Sequence, residues 1–86
     1  MASVQKSEHR LNLVGRLHKT VIVEECEQHL HEQLATMFMN SCGPVDDWDS
    51  SEVRLTIVFE ELSAMSTALR FHGKNYCENK LVVWAA

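Results

Sequence analysis

The sequence predicts an α+β fold, a β-α-β-β-α-β sandwich in which a four-stranded antiparallel sheet carries two helices on one face. Three observations lead there. The run Thr20-Val21-Ile22-Val23 is β-branched throughout, a composition that suits a strand better than a helix. Between Val53 and Phe59, the residues Val53, Leu55, Ile57 and Phe59 fall on one side, with Arg54 and Thr56 on the other. That is the period-two pattern of a half-buried strand. Leu30, Leu34, Met37 and Phe38 recur with the spacing of a single helical stripe.

Taken in order, residues 1–18 form a basic, partly flexible arm, and residues 19–86 form the folded domain. Within the arm, Leu11, Leu13, Val14 and Leu17 cluster around Gly15, as a helical turn or an added strand. Thr20–Val23 is the first strand. The first helix spans Glu27–Asn40 and ends at Cys42-Gly43-Pro44, with glycine near its C-cap and a proline that cannot continue it. Val45–Trp48 is a short second strand, Asp49-Ser50-Ser51 a turn, and Val53–Phe59 the third strand. Ser63 caps a second helix whose inner face uses Ala64, Ala68, Leu69 and Phe71, closed by Gly73. Lys74–Asn79 is a loop or tight hairpin, and Lys80–Trp84 the last strand. This order is the ferredoxin-like arrangement, which leaves one sheet face open.

Composition narrows the function classes. The chain has 86 residues, 45% hydrophobic and 23% charged, enough for one small core. Its longest apolar runs, Thr20–Val23 and Leu81–Ala86, fall far short of the roughly 20 residues that span a bilayer. Met1–Lys6 lacks the order of a secretory signal. Cys26, Cys42 and Cys77 are odd in number and unpaired in spacing, which suits free thiols in a reducing compartment. The expectation is an intracellular protein without membrane contact. The net charge of −4 is uneven. Residues 1–19 carry Lys6, Arg10, Arg16 and Lys19 against Glu8 alone, whereas residues 20–86 carry four basic and eleven acidic residues. An acidic body opposes tight nucleic-acid binding, which depends on Lys and Arg replacing counterions at phosphates. The basic arm keeps a weaker form of it open.

From Lys19 to Ala86 the chain resembles the RNA-recognition motif (RRM) family. Thr20–Cys26 stands where the family has its first-strand motif. Glu27–Gly43 resembles the first helix and its closing glycine, and Ile57-Val58-Phe59-Glu60 matches the end of the third-strand motif. Ala68–Gly73 resembles the end of the second helix, and Leu81–Ala85 the last strand. The family stacks bases on aromatic rings of its first and third strands. Here those positions hold Ile22, Arg54 and Thr56, while Glu52 replaces the basic residue that opens the third-strand motif and Val53 its glycine. Stacking is worth about 1–3 kcal/mol per base. The resemblance is therefore to a degenerate RRM lacking the stacking aromatics, and it implies a binding module of an RNA-associated assembly in the nucleus or cytoplasm, not an enzyme.

Alternation assigns the open face. Val21, Val23, Leu81 and Val83 point inward, leaving Ile22, Glu24, Arg54, Thr56, Val58, Val82 and Trp84 outward. An apolar patch with a tryptophan and charged neighbours has the composition of a protein-contact surface. Three occupants fit it: a protein partner, the chain itself through the Leu11–Leu17 cluster or a C-terminal extension, or single-stranded RNA on Trp84 and Arg54. Trp48, ringed by Asp46, Asp47 and Asp49, reads as a core side chain. A second candidate site rests on the resemblance. Some RRM relatives in splicing factors hold a partner's tryptophan with an Arg-x-Phe loop after the second helix and acids on the first. Lys74-Asn75-Tyr76 stands at that loop, with Glu27 and Glu32 on the helix.

Catalytic and metal chemistry find no support. Cys26, His29 and His31 are close in sequence, but His29 and His31 fall on different sides of a helix and nothing completes the four ligands zinc requires. Both histidines are expected to be solvated. The pairs Glu24-Glu25 and Glu60-Glu61 are adjacent in sequence, and adjacent strand residues face opposite ways. The glycines are isolated, so there is no phosphate-binding loop. Met37 and Phe38 belong to the inner stripe, with Met39 exposed. No cofactor, metal or small-molecule substrate is expected.

Overall fold

A computed structural model describes residues 13–86 of the chain. The β-branched run forms β1 (Thr20–Glu24) at an interior position of the sheet. β2 (Val45–Ser51) and β3 (Arg54–Phe59) form a hairpin, and β6 (Val82–Ala85) closes the other edge, giving the order β2-β3-β1-β6. All three pairings are antiparallel. Val21 lies opposite Ile57, and Val23 lies between Leu55 and Val83. These five side chains are buried in one cluster.

The helices α1 (His31–Cys42) and α2 (Leu62–Leu69) cover that cluster. Leu34 and Phe38 of α1 are fully buried, as predicted for the stripe, whereas Met37 is partly buried; Ala35, outside that stripe, is fully buried too, and Ala64 and Ala68 bring α2 close. Phe71 follows α2 and meets Phe38 edge-on, with ring centroids 5.4 Å apart. Trp48 lies on the same inner side, 4% exposed, and belongs to the cluster as expected. Among the described residues, no helix is long and apolar enough to cross a membrane.

Several boundaries differ from the sequence expectation. A 3-10 turn (Gln28–Leu30) precedes α1, which then runs past Asn40 to Cys42 because nothing breaks it before Gly43. β2 continues through Asp49-Ser50-Ser51, pairing with Arg54–Thr56, because polar side chains are no obstacle on a partly solvated edge strand. The turn falls instead at Glu52-Val53, so Val53 is exposed rather than part of the inner row. Its carbonyl accepts a hydrogen bond from Cys26 N–H at 3.0 Å. α2 starts at Leu62 with Glu61 in the cap position, so Ser63 lies inside the helix rather than capping it. The segment after α2 is a tight hairpin of β4 (Asn75–Tyr76) and β5 (Asn79–Lys80). It turns through Cys77 and Glu78, both at positive φ, the signature of a type I′ turn.

His31 is the main correction. It opens α1 and is 1% exposed, not solvated. Its Nε2 lies 2.8 Å from the Cys26 carbonyl, and its Nδ1 contacts the Ser50 hydroxyl at 2.5 Å. A carbonyl oxygen only accepts, so Nε2 carries the proton, and in the neutral ring Nδ1 accepts from Ser50. The imidazole thereby ties the start of α1 to the end of β1 and to β2. His29 is exposed.

Gly43 separates α1 from β2 at φ +149°. A Cβ placed there would stand 2.8 Å from the Ala64 Cβ, so the close approach of the two helices depends on its absence. Gly43→Ala is expected to lower stability by at least about 2 kcal/mol in urea unfolding, from overpacking and backbone strain together. Adding Ala64→Gly should recover part of that loss, and a double variant no better than additive would show that the contact is not the cause.

The open face of the sheet

Register turns the open face into three rows, because direct cross-strand partners share a side. One end row contains Asp47, Val58 and Thr20. The middle row contains Asp49, Thr56, Ile22 and Trp84. The other end row contains Ser51, Arg54, Glu24 and Val82. In the middle row Trp84 is 50% exposed and is the single aromatic side chain. Ile22 and Thr56 beside it are half-buried.

Charge on this face is largely internally paired. Arg54 Nη2 lies 3.4 Å from Glu24 Oε2. Arg16 lies 2.6 Å from Asp46 and 3.9 Å from Asp47. Such partly exposed pairs add about 0–1 kcal/mol to stability. Their larger consequence is that an incoming phosphate would have to displace a carboxylate from either arginine. Asp49, in the middle row, adds a further acid.

Ile22, Glu24, Arg54, Thr56, Val82 and Trp84 are all partly or fully accessible. Val58 is not: it shares the outward side but is fully buried and lies outside the helix-side core cluster. The Thr20 hydroxyl donates to the Arg16 carbonyl at 2.7 Å, while the Arg16 guanidinium reaches Asp46 and Asp47. The Arg16 turn thus engages both flanks of Val58. Of the Leu11–Leu17 cluster, Val14 to Arg16 form a turn and Leu17–Lys19 a 3-10 turn; Val14 is 87% and Leu17 54% exposed, whereas Leu13 is half-buried. Leu11, Lys6 and Arg10 lie outside the described residues.

The residues of the second candidate site differ in exposure. Glu27, Glu32 and Lys74 are exposed, whereas Tyr76 is half-buried against the core. Of these four, Tyr76 alone lines a shallow open cleft, together with Cys26, Leu30, Leu34, Lys80 and Leu81. Cysteine chemistry is also disfavoured. Burial, and then the charge of Glu27, pushes the Cys26 thiol up, and burial does the same to Cys42. The Cys26 thiol contacts the Glu27 carbonyl, and His29 pairs with the Glu27 carboxylate instead. Among the described residues, no group of three His, Cys, Asp or Glu side chains is arranged to hold a metal ion.

The sequence reading missed His72. Its ring lies against Trp84, centroids 4.6 Å apart, and its Nδ1 accepts a hydrogen bond from Val83 N–H at 3.1 Å. Local pattern carries no signal for this contact, because the two residues belong to different elements.

No protein-family model and no curated protein matches the chain. Solved structures do. The Rna15 RRM with bound RNA (GU) superposes with a TM-score of 0.69 at 19% identity, covering 79% of this chain and 82% of that one. The RRM3 domain of Mip6 gives 0.71 at 15% identity, covering 83% and 96%. The Nab3 RRM, described in recognition of cis elements of non-polyadenylated RNAs, gives 0.69 at 8% identity, covering 80% and 95%. At such identities the likeness establishes the fold, and this chain has the RRM fold.

Val58→Ala and Val82→Ala remove the same two methyl groups from one face. Val58→Ala is expected to cost about 2 kcal/mol in urea unfolding, and half-buried Val82→Ala less than about 1 kcal/mol. Equal losses would show that Val58 is solvated like Val82.

Proposed function

We propose that this RRM-fold domain is a non-catalytic binding module that engages a polypeptide partner through the open face of its sheet. The observation that carries this is the middle row, where Asp49, Thr56, Ile22 and Trp84 stand side by side. Base stacking needs flat rings on the central strands, and β1 and β3 supply an isoleucine and a threonine. An exposed indole beside aliphatic Ile22 and Val82, bordered by Glu24, Arg54 and Asp49, matches the aromatic anchor and polar rim of protein interfaces. The fold's solved examples with RNA support a place in an RNA-associated assembly.

Weak single-stranded RNA binding is a second reading, favoured by the exposure of Trp84. In this reading Trp84 stacks on a base and the basic arm supplies charge. Arg16 is paired with Asp46, and Lys19 Nζ lies 3.5 Å from the Glu60 carbonyl, so two of the four Lys and Arg residues in 1–19 are turned toward the body.

Amide NMR titration of the full chain separates the readings. One probe is a pool of random RNA octamers, the other a peptide selected from a random display library. The peptide is expected to shift β1 and β6, and Trp84→Ala to weaken it about 30-fold, the scale of an interfacial tryptophan hot spot. The thermal midpoint should change by no more than the loss of one ring pair implies, about 1 kcal/mol. RNA-induced shifts at Ile22, Thr56 and Trp84 that persist at physiological salt would reverse the assignment.

A further inference from the structure

The hydrogen bond from Ala86 N–H to the Thr20 carbonyl sets the phase of the β1–β6 ladder. In an antiparallel pair, hydrogen-bonded and non-hydrogen-bonded partners alternate. Thr20 with Ala86, Ile22 with Trp84 and Glu24 with Val82 are therefore the bonded pairs, and Val23 with Val83 is not. The Val83 N–H points away from β1, toward the open edge of the sheet. An edge N–H there normally faces water. Here the His72 Nδ1 takes it, at 3.1 Å. The same ring packs on Trp84, the next residue, which faces the open side.

His72 is itself held on both sides. Phe71 before it packs on Phe38, and Gly73 after it donates to the Leu81 carbonyl at 2.8 Å. Leu81 N–H returns to the Lys74 carbonyl, also at 2.8 Å. The ring therefore bridges two fixed elements, clamping the sheet edge with one atom and lying tilted against the indole.

We propose that His72 is a pH-responsive positioning residue for Trp84, so that the open face is fully assembled only while this imidazole is neutral. The inference rests on the open-face reading of function and adds its regulation. A backbone N–H can only donate, so Nδ1 accepts only while it is unprotonated. Once protonated, Nδ1 becomes a donor facing another donor. The Val83 bond is then lost, and with it the contact that pins the ring where it supports Trp84. Histidine is the side chain whose charge ordinarily changes between about pH 5 and 8.

Ionisable groups on the elements that hold His72 are Arg70 and Lys74 on its own loop, Tyr76, Cys77, Glu78 and Lys80 on the hairpin, and Glu24 of β1, opposite Val82. Neither β6 nor Val21–Val23 of β1 carries one. Among the described residues, no carboxylate forms an ion pair with the His72 ring, so none holds the protonated ring in place.

The test is a pH titration of the labelled full chain by NMR, with no partner present. The Val83 amide and the Trp84 indole resonances are expected to move with the same midpoint as the His72 ring, and Val83 to lose its protection from exchange on acidification. His72→Asn places an oxygen acceptor near the position of Nδ1 without a titratable group. It should keep Val83 protected and flatten both transitions, while His72→Ala should lose the protection at every pH. Val83 and Trp84 signals that ignore the His72 titration would overturn the proposal, and the wild-type measurement decides this even if a variant fails to fold. Binding of the display-selected peptide should weaken on acidification in wild type and not in His72→Asn. An equal loss in both would refute the regulatory role while leaving the open face as the binding surface. A peptide that binds elsewhere would refute the open-face reading while leaving the partner-free titration intact.

Discussion

Val21 and Val23 are fully buried beneath the helices, and β1, which carries them, is paired on both sides. That double constraint admits one register. A slip of one residue against β3 or β6 would bring Ile22 and Glu24 into the core and put the valines in water. With the register held, every outward position in the sheet is specified, including the alignment of Trp84 with Ile22 and of Glu24 with Arg54. Gly43 serves the same end from the opposite layer, since the helices seal the inner face only if α1 can approach Ala64.

The sheet's two edges are closed by different devices. At the β2 edge, Asp47 Oδ1 takes the Trp48 N–H at 2.8 Å, and a register shift between Val45 and Asp47 disturbs the ladder. At the β6 edge, His72 takes the Val83 N–H. Irregularity, charge and side-chain capping all oppose pairing with a foreign strand. In the proposed reading, a polypeptide partner engages the open face rather than either edge. That face offers an indole and aliphatic side chains, with most of its charges paired among themselves. The proposed contact would then rest on shape and apolar area more than on attraction of a polyanion.

Segments that touch the open face also limit it. The Arg16 turn takes the Val58 end, leaving the middle and far rows accessible. His72 supports the accessible part from its edge. The residues that define the surface thus come from six places: the chain before β1, four strands, and the loop after α2.

Much of this was legible in the sequence. The β-branched run, the alternation from Leu55 to Phe59 and the Leu30-Leu34-Phe38 stripe predicted the fold class. Alternation also put Val21, Val23 and Val83 inside and Trp84 outside, because side-chain direction follows from the strand period alone, while Trp48 was placed inside by its spacing after Gly43. The burial of Val58, the conversion of His31 into a buried cross-link to Ser50 and the pairing of His72 with Trp84 were not legible. Period tells which side of a sheet or helix a residue takes. Whether that side meets water depends on segments distant in sequence, and only the packed chain brings Arg16 to Asp46, Ser50 to His31 and His72 to the open edge of β6.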